Sequence, residues 1–574
     1  MAESGVMVVP GPRPAQRKAR RRRLLTRAVP IAGLAAAAFA AGAVWATEPG
    51  RAERRLVTHY VTDWEDGEFA PMYDLLDSSS RRSTSEAAFA AELRDAAATA
   101  TLTSLQPIHV ASRSGNAIAV RMRVRTRLWG TLHETLEVPL TGSGSDARIH
   151  LGAILLFPGL RAGERLHRVV TLPPRGTLLA SDGTPLAQGA ARSSPIPDVA
   201  GQIVGTLGPI PSGEAKLYAA EGYPAGAQVG LDGLERIFEG RLVGTPGGRL
   251  LAGHRLLASA APRQAPPVTT TISPRLERAA VSALGGQYAG MTVMNPRTGA
   301  LLALAGIAFS ALQPPGSTMK IITVTGALQA GITTLGTTYP IQTSALIDGF
   351  TLQNANGEAC GGTLLNAFAV SCNSVFAPLG AKLGAARLVD IAKRFGFDQP
   401  SSIPGAAEST IPSASSIGDD LAVGSSAIGQ GLVQTTPLEM SDVAATIAMG
   451  GRRPIPTLLA HQRPRFVRVT SAHVAHEVQQ MMIAVVDFGT GTAAQIPGVL
   501  VAGKTGTAEL RNTATTANNP NAGSPQNTDA WFVGYAPVGH PRFVAGALFP
   551  NQGAGGAAAA PPVHDVLAAA LHKG

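Results

Sequence analysis

Ser317 and Lys320, three residues apart, are the pair in this chain best suited to nucleophilic chemistry. A serine hydroxyl is a poor nucleophile until a neighbouring base takes its proton. On a helix, residues three apart share a face, so Oγ and Nζ would open into one pocket. Pro314-Pro315-Gly316, immediately before them, suits a chain turning into a helix start. A lysine held in an apolar pocket near another cation loses its proton more readily, which would make Lys320 a usable base near neutral pH. Two further strings, Ser371-Cys372-Asn373 and Lys504-Thr505-Gly506-Thr507, offer hydroxyls, an amide and a second lysine.

Short matches of this kind carry false-positive risk, and composition sharpens this one. Of 48 basic residues only seven are lysines: Lys18, Lys216, Lys320, Lys382, Lys393, Lys504 and Lys573. The chain uses arginine almost wherever plain positive charge will do. Two of the seven lysines nevertheless fall inside these strings, and none outside Lys320 has a serine three residues before it. A guanidinium would fail where a group must deprotonate. The competing reading, an ordinary helix serine and two surface lysines, leaves that distribution unexplained.

The flanks agree. Met291 to Leu304 reads as strand, turn, strand, with Asn295-Pro296 and Thr298-Gly299 as punctuation. Asp529 to Tyr535 is a further strand candidate, rich in aromatic and β-branched residues. With Ser-x-x-Lys, Ser-x-Asn and Lys-Thr-Gly in this order, the chain from about Thr269 onward resembles the transpeptidase domain of class B penicillin-binding proteins. Ser425 to Gly431 and Gly489-Thr490-Gly491-Thr492-Ala493 resemble that family's recurrent stretches; the second fits no nucleotide-loop pattern.

The resemblance implies roles. Ser317 is the acylated nucleophile and Lys320 its general base. Ser371 relays a proton toward the leaving amine, and Asn373 holds the substrate backbone. Lys504 attracts the substrate carboxylate, with Thr505, Gly506 and Thr507 on the same strand. The backbone N–H groups of Ser317 and Thr507 form the oxyanion hole, where losing one donor typically costs about 3–4 kcal/mol of barrier. Cys372 replaces the aspartate of the usual second motif, a position at which the family varies. No cofactor is implied.

Eight basic residues lie within the first 27 positions against Glu3 alone, and without them 40 basic residues face 37 acidic ones. Ala28 to Ala46 carries no charge and is long enough to cross a bilayer at ~20 residues. A basic flank before an apolar run places the chain beyond Thr47 outside the cytoplasm. The anchor explains the arginines better than nucleic acid does. A cleaved signal ending at Val44-Trp45-Ala46 stays open, against bulky Trp45 beside the cleavage site. The two cysteines, Cys360 and Cys372, fall in the external part, where a bridge persists. A bridge and a pair of small buried hydrophobes are both open readings. No metal site is visible, since His473, His476 and Glu477 fit no zinc pattern and read as a solvated helix face.

Length predicts three or four domains. Leu56, Tyr60 and Trp64, then Met72 and Leu75, predict a helix that breaks near Gly67 and restarts. Ile118, Val120, Met122, Val124 and Leu128 alternate with Arg121, Arg123, Arg125 and Arg127, and Leu136, Val138 and Leu140 continue the pattern after Trp129-Gly130-Thr131. The arginine row reads as a solvated face partly neutralised by Glu134 and Glu137, with an anionic-polymer site as the sharper alternative. This helix-then-sheet region resembles an NTF2-like domain. Pro174 to Leu179, Asp182 to Ala187 and Gly230 to Glu235 resemble the family's dimerisation or linker domain. The polar run 512–527 reads as a mobile loop.

The expected architecture is multidomain α+β. It comprises a cytoplasmic tail (1–27), a transmembrane anchor (28–46), an NTF2-like domain (51–157), a dimerisation domain (158–267) and a transpeptidase domain (268–574). That last domain is expected as an antiparallel sheet flanked by helices plus an all-α lobe. The resemblance implies a single-pass membrane enzyme cross-linking peptidoglycan stem peptides through an acyl-enzyme on Ser317. A D-Ala-D-Ala donor and an amine acceptor are its substrates, β-lactams block it, and a glycosyltransferase is its partner. The rivals are a DD-carboxypeptidase or β-lactamase with the same site, and a penicillin-binding sensor or scaffold. Over 200 residues of spacer argue against the first, and the single span against the second.

Overall fold

The structure, a computed structural model, describes residues 50–510 and 527–572. The basic tail, the apolar run 28–46 and the loop up to residue 526 lie outside the described residues. Among the described residues no helix is long and apolar enough to cross a membrane.

The chain divides into two compact units, the first built from residues up to 172 with 212–225 and 246–262. Helix α1 (Arg51–Asp66) buries Val57, Tyr60, Val61 and Trp64, the i, i+3, i+4, i+7 stripe of an amphipathic helix. It stops at Gly67, whose left-handed φ of 77° caps it, and the chain restarts as α2 (Phe69–Asp74) with Met72 buried. After α3 (Ser78–Ser83) and α4 (Glu86–Thr99) come β1 (Leu102–Val110), β2 (Ala117–Thr126), β3 (Gly130–Thr141) and β4 (Arg148–Ile149), an antiparallel sheet in sequence order. Alternation dictates its faces: Ile118, Val120, Met122, Val124, Leu136, Val138 and Leu140 line the core with the α1 stripe. The sequence expectation for Glu134 is corrected. It stands opposite Met122, on the core side, packed against Gly159, so burial raises its pKa and it does not neutralise the arginine row.

The segment 158–267, expected as one linker domain, is shared between the units because its apolar residues serve two cores. Strands β5 (Leu166–Thr171), β6 (Gly247–Ala252) and β7 (Arg255–Ala260) form a sheet with β6 central, and Leu250 and Ala252 join the first core. Leu178, Leu186, Val199, Ile203, Leu234 and Leu242 instead belong to the second unit's core. A buried ion cluster organises these residues: Arg175 Nη2 reaches Glu235 at 2.7 Å and Glu239 at 2.8 Å, and Arg192 Nε reaches Glu235 at 2.6 Å.

The rest of the second unit is built on a five-stranded antiparallel sheet. Its strands are β8 (Gly290–Asn295), β9 (Ala300–Gly306), β10 (Ala502–Glu509), β11 (Thr528–Ala536) and β12 (Phe543–Phe549), ordered β9-β8-β12-β11-β10. The expected hairpin between β8 and β9 turns at Asn295, whose Oδ1 accepts the Arg297 N–H. Both faces are covered, so these strands are almost continuously apolar. On one face α5 (Pro274–Leu284) and the C-terminal α11 (Ala560–Leu571) pack Leu276, Leu284, Val563 and Leu567 against Met291, Val293 and Phe532. On the other, an all-α lobe contributes α6 (Lys320–Gln329), α7 (Leu364–Ala369), α8 (Asn373–Leu383), α9 (Pro437–Ala448) and α10 (Ala472–Asp487). His473, on α10, is 82% exposed.

Candidate active site

Ser317 lies in a 3-10 turn, Gly316–Met319, that runs into α6 at Lys320. Residues three apart eclipse in a 3-10 turn, so Ser317 and Lys320 share a side more closely than α-helical geometry alone would give. The turn is seated by glycine. Gly316 has φ 52°, a Cβ there would meet Thr507 O at 2.7 Å, and its N–H donates to Gly429 O at 2.9 Å. Gly429 belongs to the glycine-rich stretch 425–431, and a Cβ on it would meet Gly316 O at 2.0 Å. The nucleophile turn is thus clamped between that stretch and β10 at Thr507.

Ser371 occupies the centre. Helix α7 ends there in a Schellman motif: Ser371 N–H bonds Phe368 O at 3.1 Å, Cys372 N–H bonds Ala367 O at 2.9 Å, and Ser371 takes φ 63°. Glycine usually fills that position, and serine there costs roughly 1–2 kcal/mol of backbone strain. The strain buys placement of Oγ, 2.9 Å from Lys504 Nζ and 3.2 Å from Lys320 Nζ. Lys320 Nζ also donates to Ser371 O and to Asn373 Oδ1, both at 2.7 Å. Cys372 then precedes α8, whose first residue is Asn373, and joins Cys360 in a disulfide with Cα atoms 5.8 Å apart. Buried Asn354 steadies the same junction by accepting the Ser374 N–H at 2.7 Å and donating to Gln342 O and Glu358 O.

Both lysines are fully buried. Burial first, and the Lys504 charge second, push the Lys320 pKa well below its usual value; burial alone brings Lys504 down to about 7. Among the described residues neither has a carboxylate partner: their Nζ atoms meet Ser371, Asn373 and the Thr505 carbonyl. Lys320 lies 5.6 Å from the Phe376 ring centre and Lys504 5.5 Å from that of Phe368. In neutral Lys320 the two hydrogens serve the 2.7 Å acceptors, and the lone pair is left for a hydroxyl proton.

Sequence reasoning placed Ser317, Lys320, Ser371, Asn373, Lys504, Thr505, Gly506 and Thr507 in one site; the structure joins Lys320, Ser371, Asn373 and Lys504 by direct contacts, sets Ser317 in the turn that runs into Lys320, and continues the Lys504 strand through Thr505, Gly506 and Thr507. Gly506 permits the close approach, since a Cβ there would meet Pro315 O at 2.7 Å. Thr507 Oγ1 accepts the Gly555 N–H at 3.3 Å. Sequence reasoning missed Phe368, Phe376, Asn354 and Thr490, whose Oγ1 lies 2.5 Å from that of Thr505. Thr490 sat in the glycine string read only as a family likeness; its pairing could have been sought there.

Comparison with known proteins agrees with this geometry. Residues 289–568 match the penicillin binding protein transpeptidase domain, and 187–254 match the penicillin-binding protein dimerisation domain. The chain is 32% identical over 374 residues to the peptidoglycan D,D-transpeptidase PbpA of Mycobacterium tuberculosis, spanning 53% of this chain and 72% of that one. The chain belongs to the class B penicillin-binding proteins. A more distant member, the peptidoglycan D,D-transpeptidase MrdA of Acinetobacter baumannii, is 26% identical across 65% of each chain. Among solved members, penicillin-binding protein A from M. tuberculosis as a penicillin G acyl-enzyme complex superposes with a TM-score of 0.55 at 26% identity, covering 70% of this chain and all of that one. The D,D-transpeptidase domain from Eggerthella lenta gives 0.55 at 28% identity, with 69% and 98% coverage.

Proposed function

We propose that the protein is a serine D,D-transpeptidase that cross-links peptidoglycan stem peptides and is acylated by β-lactams. The observation that carries this reading is the Ser371 hydroxyl shared between two buried lysines that lack carboxylate partners among the described residues. Neutral Lys320 takes the Ser317 proton as Oγ attacks the penultimate D-Ala carbonyl. The developing oxyanion is held by the backbone N–H groups of Ser317 and Thr507, where fixed donors act on charge formed in the transition state. With both Ser371 lone pairs facing Nζ donors, its own hydrogen is available to the leaving D-alanine amine, and the proton on Lys320 replaces it. The acyl group is then on Ser317, and D-alanine leaves. An acceptor amine attacks the ester, loses its proton by the reverse path, and regenerates Ser317. Charged Lys504 attracts the donor's terminal carboxylate or that of a β-lactam.

The hydrolase reading needs a base aimed at water, and Glu408 and Glu509 are both exposed rather than built into the site. The single-pass anchor at 28–46, an extracytoplasmic catalytic part, an NTF2-like first unit and a glycosyltransferase partner belong to the same proposal. They are supported by the basic arm before an uncharged run and by the helix-then-sheet order of the first unit. The test is a donor peptide ending in D-Ala-D-Ala incubated with an amine acceptor, read by mass spectrometry. Cross-linked product with one D-alanine released per link is expected. Free tetrapeptide alone, at any acceptor concentration, would make the enzyme a carboxypeptidase.

A further inference from the structure

The arginine row on β2 is absorbed by no step above, and its setting in the first unit is specific. Arg121, Arg123 and Arg125 alternate with the buried Val120, Met122 and Val124, so all three stand on the outer face of the sheet. Register fixes their neighbours. Arg121 lies between His109 and Thr135, Arg123 between Gln106 and His133, and Arg125 between Ser104 and Thr131. Elsewhere in this unit Arg113 pairs with Glu53, His150 with Asp77 and Arg255 with Glu164, whereas among the described residues no ion pair involves the row. Glu134 points to the core side, which leaves Glu137, opposite Ala119, as the one acidic side chain of β1 to β3 on this face. An exposed strand face normally interleaves opposite charges across its strands, since like charges side by side are destabilising. This one collects cations and surrounds them with hydroxyl, amide and imidazole groups.

We propose that this face docks an extended, linear polymer of phosphodiester-linked polyol units. Alternate residues along a strand repeat at about 6.8 Å, so the guanidinium groups form a line of three evenly spaced forks. Each fork matches a phosphate with two parallel hydrogen bonds. The flanking Ser104, Gln106, Thr131 and Thr135 supply neutral partners for polyol hydroxyls between the phosphates. A bilayer surface fits less well, because interfacial binding adds apolar side chains to basic ones. Ile108, the large exposed aliphatic nearby, lies in the bulge of edge strand β1, outside the row's register.

The experiment uses the full-length protein in detergent and fluorescently labelled poly(glycerol phosphate), with affinity read by anisotropy over a range of salt. Arg121→Gln/Arg123→Gln/Arg125→Gln should weaken binding at least tenfold and flatten the log–log salt dependence by about 2, as for three contacts to a single chain. His133→Glu keeps every arginine, sets a carboxylate opposite Arg123, and should weaken binding several-fold. Removing equal charge elsewhere on the unit, with Arg55→Gln/Arg81→Gln/Arg82→Gln, should change it less than twofold. Fluorescent penicillin labelling should stay at the parent level in all variants. Equal losses in the two triple variants would mean general charge attraction and overturn the proposal. So would parental affinity in the first triple variant and in His133→Glu, or a loss seen with phosphatidylglycerol vesicles and not with the polymer.

Discussion

Two buried charge clusters in the second unit are built on opposite rules. Around Arg175 the cations are guanidinium groups and every one is met by carboxylate: Glu235 and Glu239 lie within 2.8 Å of Arg175, and Arg192 lies 2.6 Å from Glu235. Around Ser371 the cations are lysines, no carboxylate among the described residues approaches, and aromatic rings and hydroxyls line the walls. The first arrangement keeps charge fixed and holds residues 175, 192, 235 and 239 together. The second makes charge costly, so a proton can leave. In a chain with seven lysines among 48 basic residues, this contrast explains why lysine was retained here.

The largest effect should come from turning one rule into the other. Lys320→Arg keeps a cation and removes the base, and β-lactam acylation should fall by about 10³-fold, within the usual range for losing a general base. Stopped-flow acylation that falls less than tenfold would mean another group takes the proton. The reverse change, Arg175→Met, removes the guanidinium that buried Glu235 and Glu239 share, leaving Arg192 on Glu235. It should cost about 3–5 kcal/mol of stability in a denaturant titration, with the acylation rate of the remaining folded protein unchanged.

Lys504 sharpens the contrast, because in the proposed function its charge serves binding. Lys504→Ala should slow acylation by carboxylate-bearing β-lactams by about 10²-fold, and Lys504→Arg should recover part of that, since charge rather than proton transfer is at stake. Its pKa falls from 10.5 in the unfolded chain to about 7 in the fold. Between those values the unfolded chain holds a proton the folded one lacks, so unfolding takes up protons and stability rises with pH. The cost of Lys504 is fully present below about 7 and gone above the unfolded value. Lys504→Ala should therefore flatten the rise in Tm between pH 7 and 10, and an unchanged slope would show that the lysine is not held so deeply.

The smallest effect concerns backbone. Ser371 sits where glycine belongs, so Ser371→Gly should be about 1 kcal/mol more stable than Ser371→Ala while both lose activity. Equal stabilities would remove the argument that strain is stored there.

Much of this was legible in the chain. Periodicity gave the break near Gly67 and the buried side of β2, and turn residues gave the hairpin before β9, because each rests on residues adjacent in sequence. The three motifs pointed to residues from distant parts of the chain that the structure brings into contact at Lys320, Ser371, Asn373 and Lys504. What escaped depends on distant chain. The Schellman turn was hidden because Val370-Ser371-Cys372 carries no glycine to announce it. Thr490 was hidden because its partner is Thr505, across a strand. The division of 158–267 was hidden because composition alone does not say which core a leucine joins. The side of Glu134 could have been read, since it is two residues from Leu136 and shares its parity.

One measurement bears most directly on the nucleophile. Ser371 is the serine whose hydroxyl contacts both lysine Nζ atoms, while Ser317 lies in the turn three residues before Lys320. Peptide mapping after reaction with benzylpenicillin decides between them. The adduct should be on Ser317 alone, absent in Ser317→Ala, and present though slow to form in Ser371→Ala. An adduct on Ser371, or one that survives Ser317→Ala, would contradict the assignment of Ser317 as nucleophile and of Ser371 as its proton relay.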